Sequence, residues 1–309
     1  MAKNIIKAGI IGCGAIFPFY YLAIKNSEHI QLKCICDINP LHIKGIQFER
    51  NYEKLLDQDL DLVIIATPPH LHYIIANFFL KNQLNVIIEK PAVITKRELE
   101  LLKNNKNKDK LFLAYHSRFN PLVIKLKELL GDEQINSIKA TCLENLFKFH
   151  PNSKQWITKK KLAGGGCIID SAINALAVIS LFVENIDITS CSVDSYIGEV
   201  ESSSNIKIDF DFGKGIIKNN WNYSGKRVEQ ICFKTKKDTY VLDYVSMQLT
   251  KNSQTIFQMN SDKKSSDMHH EYKNLINYIG YNMDNNQRQN NEFCPLELVF
   301  NCYKLIGED

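Results

Sequence analysis

Lys7-Ala8-Gly9-Ile10-Ile11-Gly12-Cys13-Gly14-Ala15-Ile16 decides the fold of this 309-residue chain. An apolar, β-prone run enters two glycines one residue apart, and a helical pattern follows. In that order Gly12 permits a tight turn and Gly14 lets the backbone approach a bound group closely. The exposed N–H groups of the helix start then meet negative charge. The third small position of Gly-x-Gly-x-x-Gly/Ala is taken by Phe17. An acid closes the second strand at Asp37, 23 residues after Gly14. The pattern predicts a dinucleotide held at Gly12, Gly14, Ala15 and Ile16. Asp37 would accept both ribose hydroxyls and repel a 2′-phosphate, which favours NAD over NADP. A loop acid or helix cap is the other reading of Asp37.

Outward from this motif, short β-branched runs alternate with amphipathic stretches up to about Asn120. Strands are expected at Lys7–Ile11, Gln31–Cys36, Leu62–Ala66, Asn85–Ile88 and Leu111–Tyr115, in a parallel sheet covered on both faces. After that the rhythm changes to long period-two runs at Ser137–Phe149, Thr189–Val200, Asn205–Phe212, Ile216–Tyr223, Val228–Thr235 and Thr239–Val245. Helices are expected at Ile168–Val183, His269–Tyr281 and, behind Pro295, Leu296–Ile306. The fold class is therefore α/β, with a doubly wound Rossmann domain over 1–120. Residues 121–309 are expected to form a second domain with a mostly antiparallel sheet. A C-terminal helix packing back on the first domain is compatible with this pattern.

Composition narrows the function. With 45% hydrophobic and 23% charged residues and a formal net charge of +4, the chain is globular and has no basic stripe for nucleic acid. The apolar stretch around Ala172–Val183 is interrupted by Asn174 and Ser180, too short for a bilayer span. No secretory h-region follows Met1. A cytoplasmic location without membrane partners is expected. Nine cysteines without a CxxC pair read as reduced, buried small hydrophobes, and no metal site is expected.

The third strand ends in Thr67-Pro68-Pro69-His70-Leu71-His72 and the fourth in Glu89-Lys90-Pro91. A lysine at the tip of a buried strand needs a partner or a task. Gly-x-Gly-x-Ile, Thr-Pro-Pro-x-x-His and Glu-Lys-Pro, in this order and spacing, resemble the Gfo/Idh/MocA family of nicotinamide-dependent sugar oxidoreductases. The resemblance implies a Rossmann domain followed by an α/β substrate domain with an open, mostly antiparallel sheet, with substrate held between them. Thr67, Pro68, His72, Glu89 and Lys90 are then expected at the cofactor site.

The second anchor is Gly164-Gly165-Gly166-Cys167-Ile168-Ile169-Asp170-Ser171-Ala172-Ile173-Asn174. Its glycines would let a loop fold against the cofactor domain. Asp170 and Asn174, four apart among apolar neighbours, read as a buried polar pair in need of partners such as sugar hydroxyls. Most members of the family resembled place His where Asn174 stands, and an amide cannot titrate. The L-arabinose/D-galactose 1-dehydrogenase branch shares the asparagine. Its resemblance extends to Tyr115-His116-Ser117-Arg118, Glu144, His150 through Ile157, and Pro295 through Val299.

By that resemblance His116, Glu144, His150, Asp170 and Asn174 line a sugar site, and Lys90, Asp170 and Asn174 carry catalysis. Lys90, Asp170 or a water would take the proton. The expected activity is NAD-dependent oxidation of the anomeric carbon of a galactose- or arabinose-like pyranose to its lactone. Two alternatives are another sugar or cyclitol oxidoreductase acting on a secondary alcohol or keto group, and a non-catalytic NAD-binding sensor. The remaining expected partner is a second copy of the chain, in a dimer or tetramer formed through the C-terminal sheet.

Overall fold

A computed structural model describes residues 5–131, 133–149, 156–259, 267–285 and 293–308. The chain divides into two units, Met1–His116 with Met268–Glu292, and Ser117–Asp267 with Phe293–Asp309.

The first unit runs β1 (Ile6–Ile11), α1 (Phe17–Lys25), β2 (Ile30–Cys36), β3 (Gln47–Glu49), β4 (Leu62–Ile65), α2 (His72–Lys81), β5 (Asn85–Glu89), α3 (Lys96–Lys103) and β6 (Leu111–Ala114). Its strands pair in the order β3-β2-β1-β4-β5-β6, all parallel. Every residue of β4 and β6 is buried, as a parallel sheet covered on both faces demands. Because the order reverses between β1 and β4, the carboxyl ends of these two strands flank the crevice where such sheets bind ligands. Gly12 lies there with φ +98°, and a Cβ on it would stand 2.5 Å from the Ala66 carbonyl oxygen beyond β4. No side chain fits.

The second unit contains α4 (Pro121–Leu130), β7 (Ile135–Leu143), α5 (Leu146–Phe149), α6 (Lys160–Ala163), α7 (Ile173–Ile179), β8 (Asp187–Ile197), β9 (Val200–Phe210), β10 (Gly213–Asn220), β11 (Val228–Thr235), β12 (Thr239–Asp243), β13 (Gln248–Lys251) and β14 (Gln254–Gln258). Its sheet has the order β14-β13-β12-β11-β7-β10-β9-β8, with only β7 and β10 parallel. Register separates its faces. Leu242, Ile231, Ala140, Ile217 and Ile206 pair across successive strands and are all buried. The adjoining row, Val241, Cys232, Lys139, Ile216 and Lys207, is half or fully exposed. One face is thus a core and the other is open, the two-sided alternation of antiparallel sheets.

Two late helices complete the units: α8 (Asp267–Asn285), whose residues from Met268 belong to the first, and α9 (Cys294–Leu305), which belongs to the second. The buried Tyr272, Leu275, Ile276 and Ile279 of α8 follow helical spacing, and Gly280 presses against His29. The C-terminal helix α9 thus remains with the second unit. Among the described residues one stretch, Lys160–Ile179, is long and apolar enough by composition to cross a bilayer, but 78% of its most apolar 18-residue window is buried, as in a core helix. All nine cysteines are free.

The structure departs from the sequence reading in several places. The helix expected over Ile168–Val183 begins as a π-helical turn, Ile168–Ala172, and continues as α7 only to Ile179. Glu201, 1% exposed, fastens that turn: its Oε1 accepts the N–H groups of Gly166 (2.8 Å) and Ile168 (3.1 Å) and the Tyr303 hydroxyl (2.8 Å). A Cβ on Gly165 would stand 1.8 Å from Tyr303 Oη, and one on Gly166 would stand 1.9 Å from the Glu201 carbonyl oxygen. These glycines serve close packing within the second unit. The long strand expected to Phe149 stops at Leu143, and strands β3, β13 and β14 are additional. Gly166→Ala should lower the unfolding free energy by about 1–3 kcal/mol through overpacking, measured by urea titration. An unchanged midpoint would show that the Glu201 anchor is loose.

Candidate active site

At the cofactor end, the sequence builds an open cradle beside Gly12. A Cβ on Gly14 would meet nothing within 4 Å. Helix α1 begins without a side-chain cap and with no acid in its first turn to repel an anion; the Phe17 and Phe19 N–H groups donate to the Gly14 and Ile16 carbonyl oxygens (3.2 and 3.1 Å) and Pro18 has none, so an anion would meet the glycine loop ahead of the helix. Phe17, at the third fingerprint position, is 7% exposed and stacks on Tyr21 with ring centroids 5.8 Å apart. Its bulk is absorbed by the helix. Asp37 Oδ2 accepts the Cys13 N–H (2.7 Å) and Oδ1 the Asn39 N–H (2.8 Å). The carboxylate is fixed to the glycine loop by one bond per oxygen and keeps acceptor capacity on both. Burial first, and then the Asp37 charge, push the Cys13 thiol up to about 12, so it stays neutral.

The segment beyond β4 is held by His72, 1% exposed, whose Nδ1 lies 2.8 Å from the Pro91 carbonyl oxygen and Nε2 2.7 Å from that of Thr67. His72 therefore clamps two loops through their backbones, and burial leads in lowering its pKa. Beside it, Thr67 Oγ1 and His70 Nδ1 are buried polar atoms without a hydrogen-bond partner among the described residues. Such atoms are costly unless a ligand completes them. Open space over Gly14, an uncapped helix start and orphaned polar atoms at the sheet's carboxyl edge fit a dinucleotide.

Glu89 and Lys90 end β5. Glu89 is 5% exposed; its Oε1 accepts the hydroxyls of Tyr20 (2.8 Å) and Tyr272 (2.8 Å), and its Oε2 the Lys90 N–H (3.2 Å). Burial first, then the Glu89 charge, push both phenols well above the usual tyrosine range. Lys90 is half-exposed at the strand tip, followed by a cis bond to Pro91. His116, beyond β6, meets Glu271 Oε2 at 2.5 Å and stacks on Tyr272. Sequence reasoning missed Tyr20, Glu271 and Tyr272. The only available signal was a run of polar and aromatic residues opening an amphipathic helix.

In the second unit, between Ala163 and Ile179 only Asp170, Asn174 and Ala175 are not buried. The expected buried pair is in fact half-exposed, because the π-helical turn and α7 bury the remaining positions. Asn174 Nδ2 donates to the Asp170 carbonyl oxygen (3.3 Å), and its Oδ1 is without a partner among the described residues. Ser117 Oγ donates to the Asn174 carbonyl oxygen (3.3 Å), and Arg118 donates to the Ala177 carbonyl oxygen and Ser180 Oγ (both 2.9 Å). Arg118 thus caps α7. Trp221 Nε1 donates to Ser171 Oγ (2.8 Å) and steadies the turn from below. Glu144 is buried, with Arg227 Nε 3.5 Å from its Oε2. His150 lies outside the described residues. Among the described residues there is no cluster of three potential metal ligands.

A six-stranded parallel sheet of this order with a glycine cradle at its switch point, joined to an eight-stranded mixed sheet, defines an NAD-binding oxidoreductase. Residues 6–116 match the Gfo/Idh/MocA family model, described as "Oxidoreductase family, NAD-binding Rossmann fold". Oxidoreductase P35 of Formosa agariphila is 27% identical over 74% of this chain and 75% of its own length. A 1-carboxy-3-chloro-3,4-dihydroxycyclohexa-1,5-diene dehydrogenase of Comamonas testosteroni is 24% identical over 71% of this chain, a match spanning 58% of the relative. The crystal structure of D-galactose-1-dehydrogenase from Rhizobium etli superposes with a TM-score of 0.85 at 23% identity, covering 99% of this chain and 96% of that one.

The buried phenols give a pH prediction. Above about pH 10 the tyrosines of the unfolded chain ionise while Tyr20 and Tyr272 stay protonated in the fold. The folded state then binds more protons, so stability falls as pH rises. Tyr20→Phe/Tyr272→Phe should show a shallower alkaline decline in denaturant unfolding than the wild type; identical slopes would contradict the assignment.

Proposed function

We propose that this enzyme oxidises the anomeric carbon of a galactose- or arabinose-like pyranose to its lactone. The observation that supports this reading most is the half-open polar pair Asp170 and Asn174 in an otherwise buried segment. A carboxylate that accepts and an amide that both accepts and donates suit adjacent sugar hydroxyls. Asn174 also stands where a titratable histidine would be expected for an inositol-type site. The fold likeness to a galactose dehydrogenase is consistent with a pyranose substrate.

NAD, when bound, accepts a hydride. The chain's own groups then have three tasks. Gly12, Gly14, Ala15, Ile16, Asp37, Thr67 and Pro68 hold the dinucleotide, with His72 and Glu89 bracing the loops around it. Lys90 donates a hydrogen bond to the reacting oxygen and stabilises negative charge as it develops there. Asp170 and Asn174 fix the sugar's hydroxyls, assisted by His116, Glu144 and His150, so that the reacting carbon is presented in one orientation. A titratable acceptor for the hydroxyl proton is also required, and Asn174 cannot supply it.

A second reading is oxidation of a secondary ring alcohol, favoured by the likeness to a dehydrogenase whose name describes a dihydroxylated six-membered carbocycle. Incubation with NAD and a panel of aldoses and cyclic polyols, read as reduced cofactor, separates the two. Turnover with aldoses supports the first; turnover only with carbocyclic polyols overturns it. Lys90→Ala and Asp170→Ala should each lose at least about 100-fold in kcat while still binding NAD, and near-wild-type kcat in either would remove its assignment.

We further propose a homo-oligomer formed over the open row of the second sheet, where Val241, Cys232 and Ile216 leave apolar surface between lysines. Sedimentation equilibrium should give a multiple of the chain mass, reduced by Ile216→Glu. A monomer at micromolar concentration contradicts it.

A further inference from the structure

His116 is gripped from two sides by one helix. Its Nδ1 lies 2.5 Å from Glu271 Oε2, with side chains only 13% and 7% exposed, and its ring stacks on Tyr272 at 5.3 Å and 20°. With Nδ1 committed to a carboxylate, that nitrogen keeps its proton in both charge states of the ring. Nε2 is then the atom that gains and loses the second proton. Among the described residues Nε2 has no hydrogen-bond partner. The ring also stands at the carboxyl edge of the parallel sheet: it lies two residues beyond Ala114, which pairs in register with Glu89, the neighbour of Lys90.

We propose that His116 is the proton acceptor of the alcohol oxidation and that Glu271 is its positioning residue. The proposal rests on the reading that this site oxidises a hydroxyl, and it names the titratable group that Asn174 cannot be. In the step, the substrate O–H bond breaks and an N–H bond forms at His116 Nε2. The C–H electron pair leaves as hydride to NAD and the carbon–oxygen double bond closes. The products are a carbonyl compound, reduced cofactor and an imidazolium held by Glu271.

Four charged or titratable groups act on this ring from the elements packed against it: Glu271 and Tyr272 on α8, and Glu89 and Lys90 at the end of β5. Burial disfavours the cation. The Glu271 charge and hydrogen bond, joined by the Glu89 charge, outweigh burial and the opposing Lys90 charge, so the pKa is raised. Neutral His116 is the acceptor, so oxidation should climb as pH rises through that elevated value and level off above it. Reduction of the carbonyl should be favoured below it.

The test combines a substrate-free titration with kinetics. Histidine NMR signals of the whole protein, with His116 identified by its absence in His116→Gln, should titrate at lower pH in Glu271→Gln than in the wild type. The ascending limb of kcat/KM should move the same way. His116→Gln should lose about 10²–10⁴-fold in kcat, lack that limb and bind NAD as before, and His116→Ala should be partly restored by added imidazole. An unmoved His116 titration in Glu271→Gln, or an intact limb in His116→Gln, overturns the proposal. Because the titration needs no substrate, a panel without aldose turnover would refute the sugar reading alone.

Discussion

The carboxylate of Glu89 is the interaction on which the first unit's chemistry depends. A 5%-exposed carboxylate at a strand tip is costly unless fully hydrogen-bonded, and here Tyr20, Tyr272 and the Lys90 N–H supply the donors. Tyr20 belongs to the first helix, Glu89 to the fifth strand and Tyr272 to a helix 183 residues further along. One acid thereby ties a late helix to the carboxyl edge of the parallel sheet. With Tyr272 fixed, its neighbour Glu271 reaches His116, and the same acid orders the backbone at Lys90. The strand-tip lysine, His116 and their supports thus gather around a single buried anion.

The second unit solves an analogous problem with the same device. Glu201 is a buried acid that collects two backbone N–H groups and a tyrosine hydroxyl, and burial raises its pKa. What it secures is the π-helical turn carrying Asp170. A turn of this type widens the helix locally and is common at functional sites. Here it leaves Asp170 and Asn174 half-open while every neighbour apart from Ala175 is packed.

How much of this was legible depends on the length scale of each signal. The glycine cradle, Asp37, Lys90 and the parallel strands were readable because each is written within a few consecutive residues: β4 is four buried aliphatics followed by prolines. Strand β3 has three residues, and β14 is mostly exposed, so neither carries a hydrophobic period to detect. The π-helical turn was invisible because it shifts hydrogen bonds without changing composition. Helix α8 was recognisable, but its membership of the first unit was not. A contact such as His116 with Glu271, 155 residues apart, leaves no trace in one sequence. The close neighbours of Gly165 and Gly166, Tyr303 and Glu201, are likewise distant in the chain and left no local signal.

We propose that the reaction occurs at the carboxyl edge organised by Glu89. A crystal structure of the protein soaked with NAD tests it most directly. The adenosine ribose should lie on Asp37 and the nicotinamide ring in van der Waals contact, about 3.5–4.0 Å, with the side chain of Lys90. A nicotinamide ring bound away from Lys90, or a dinucleotide outside the Gly12–Gly14 cradle, would contradict it.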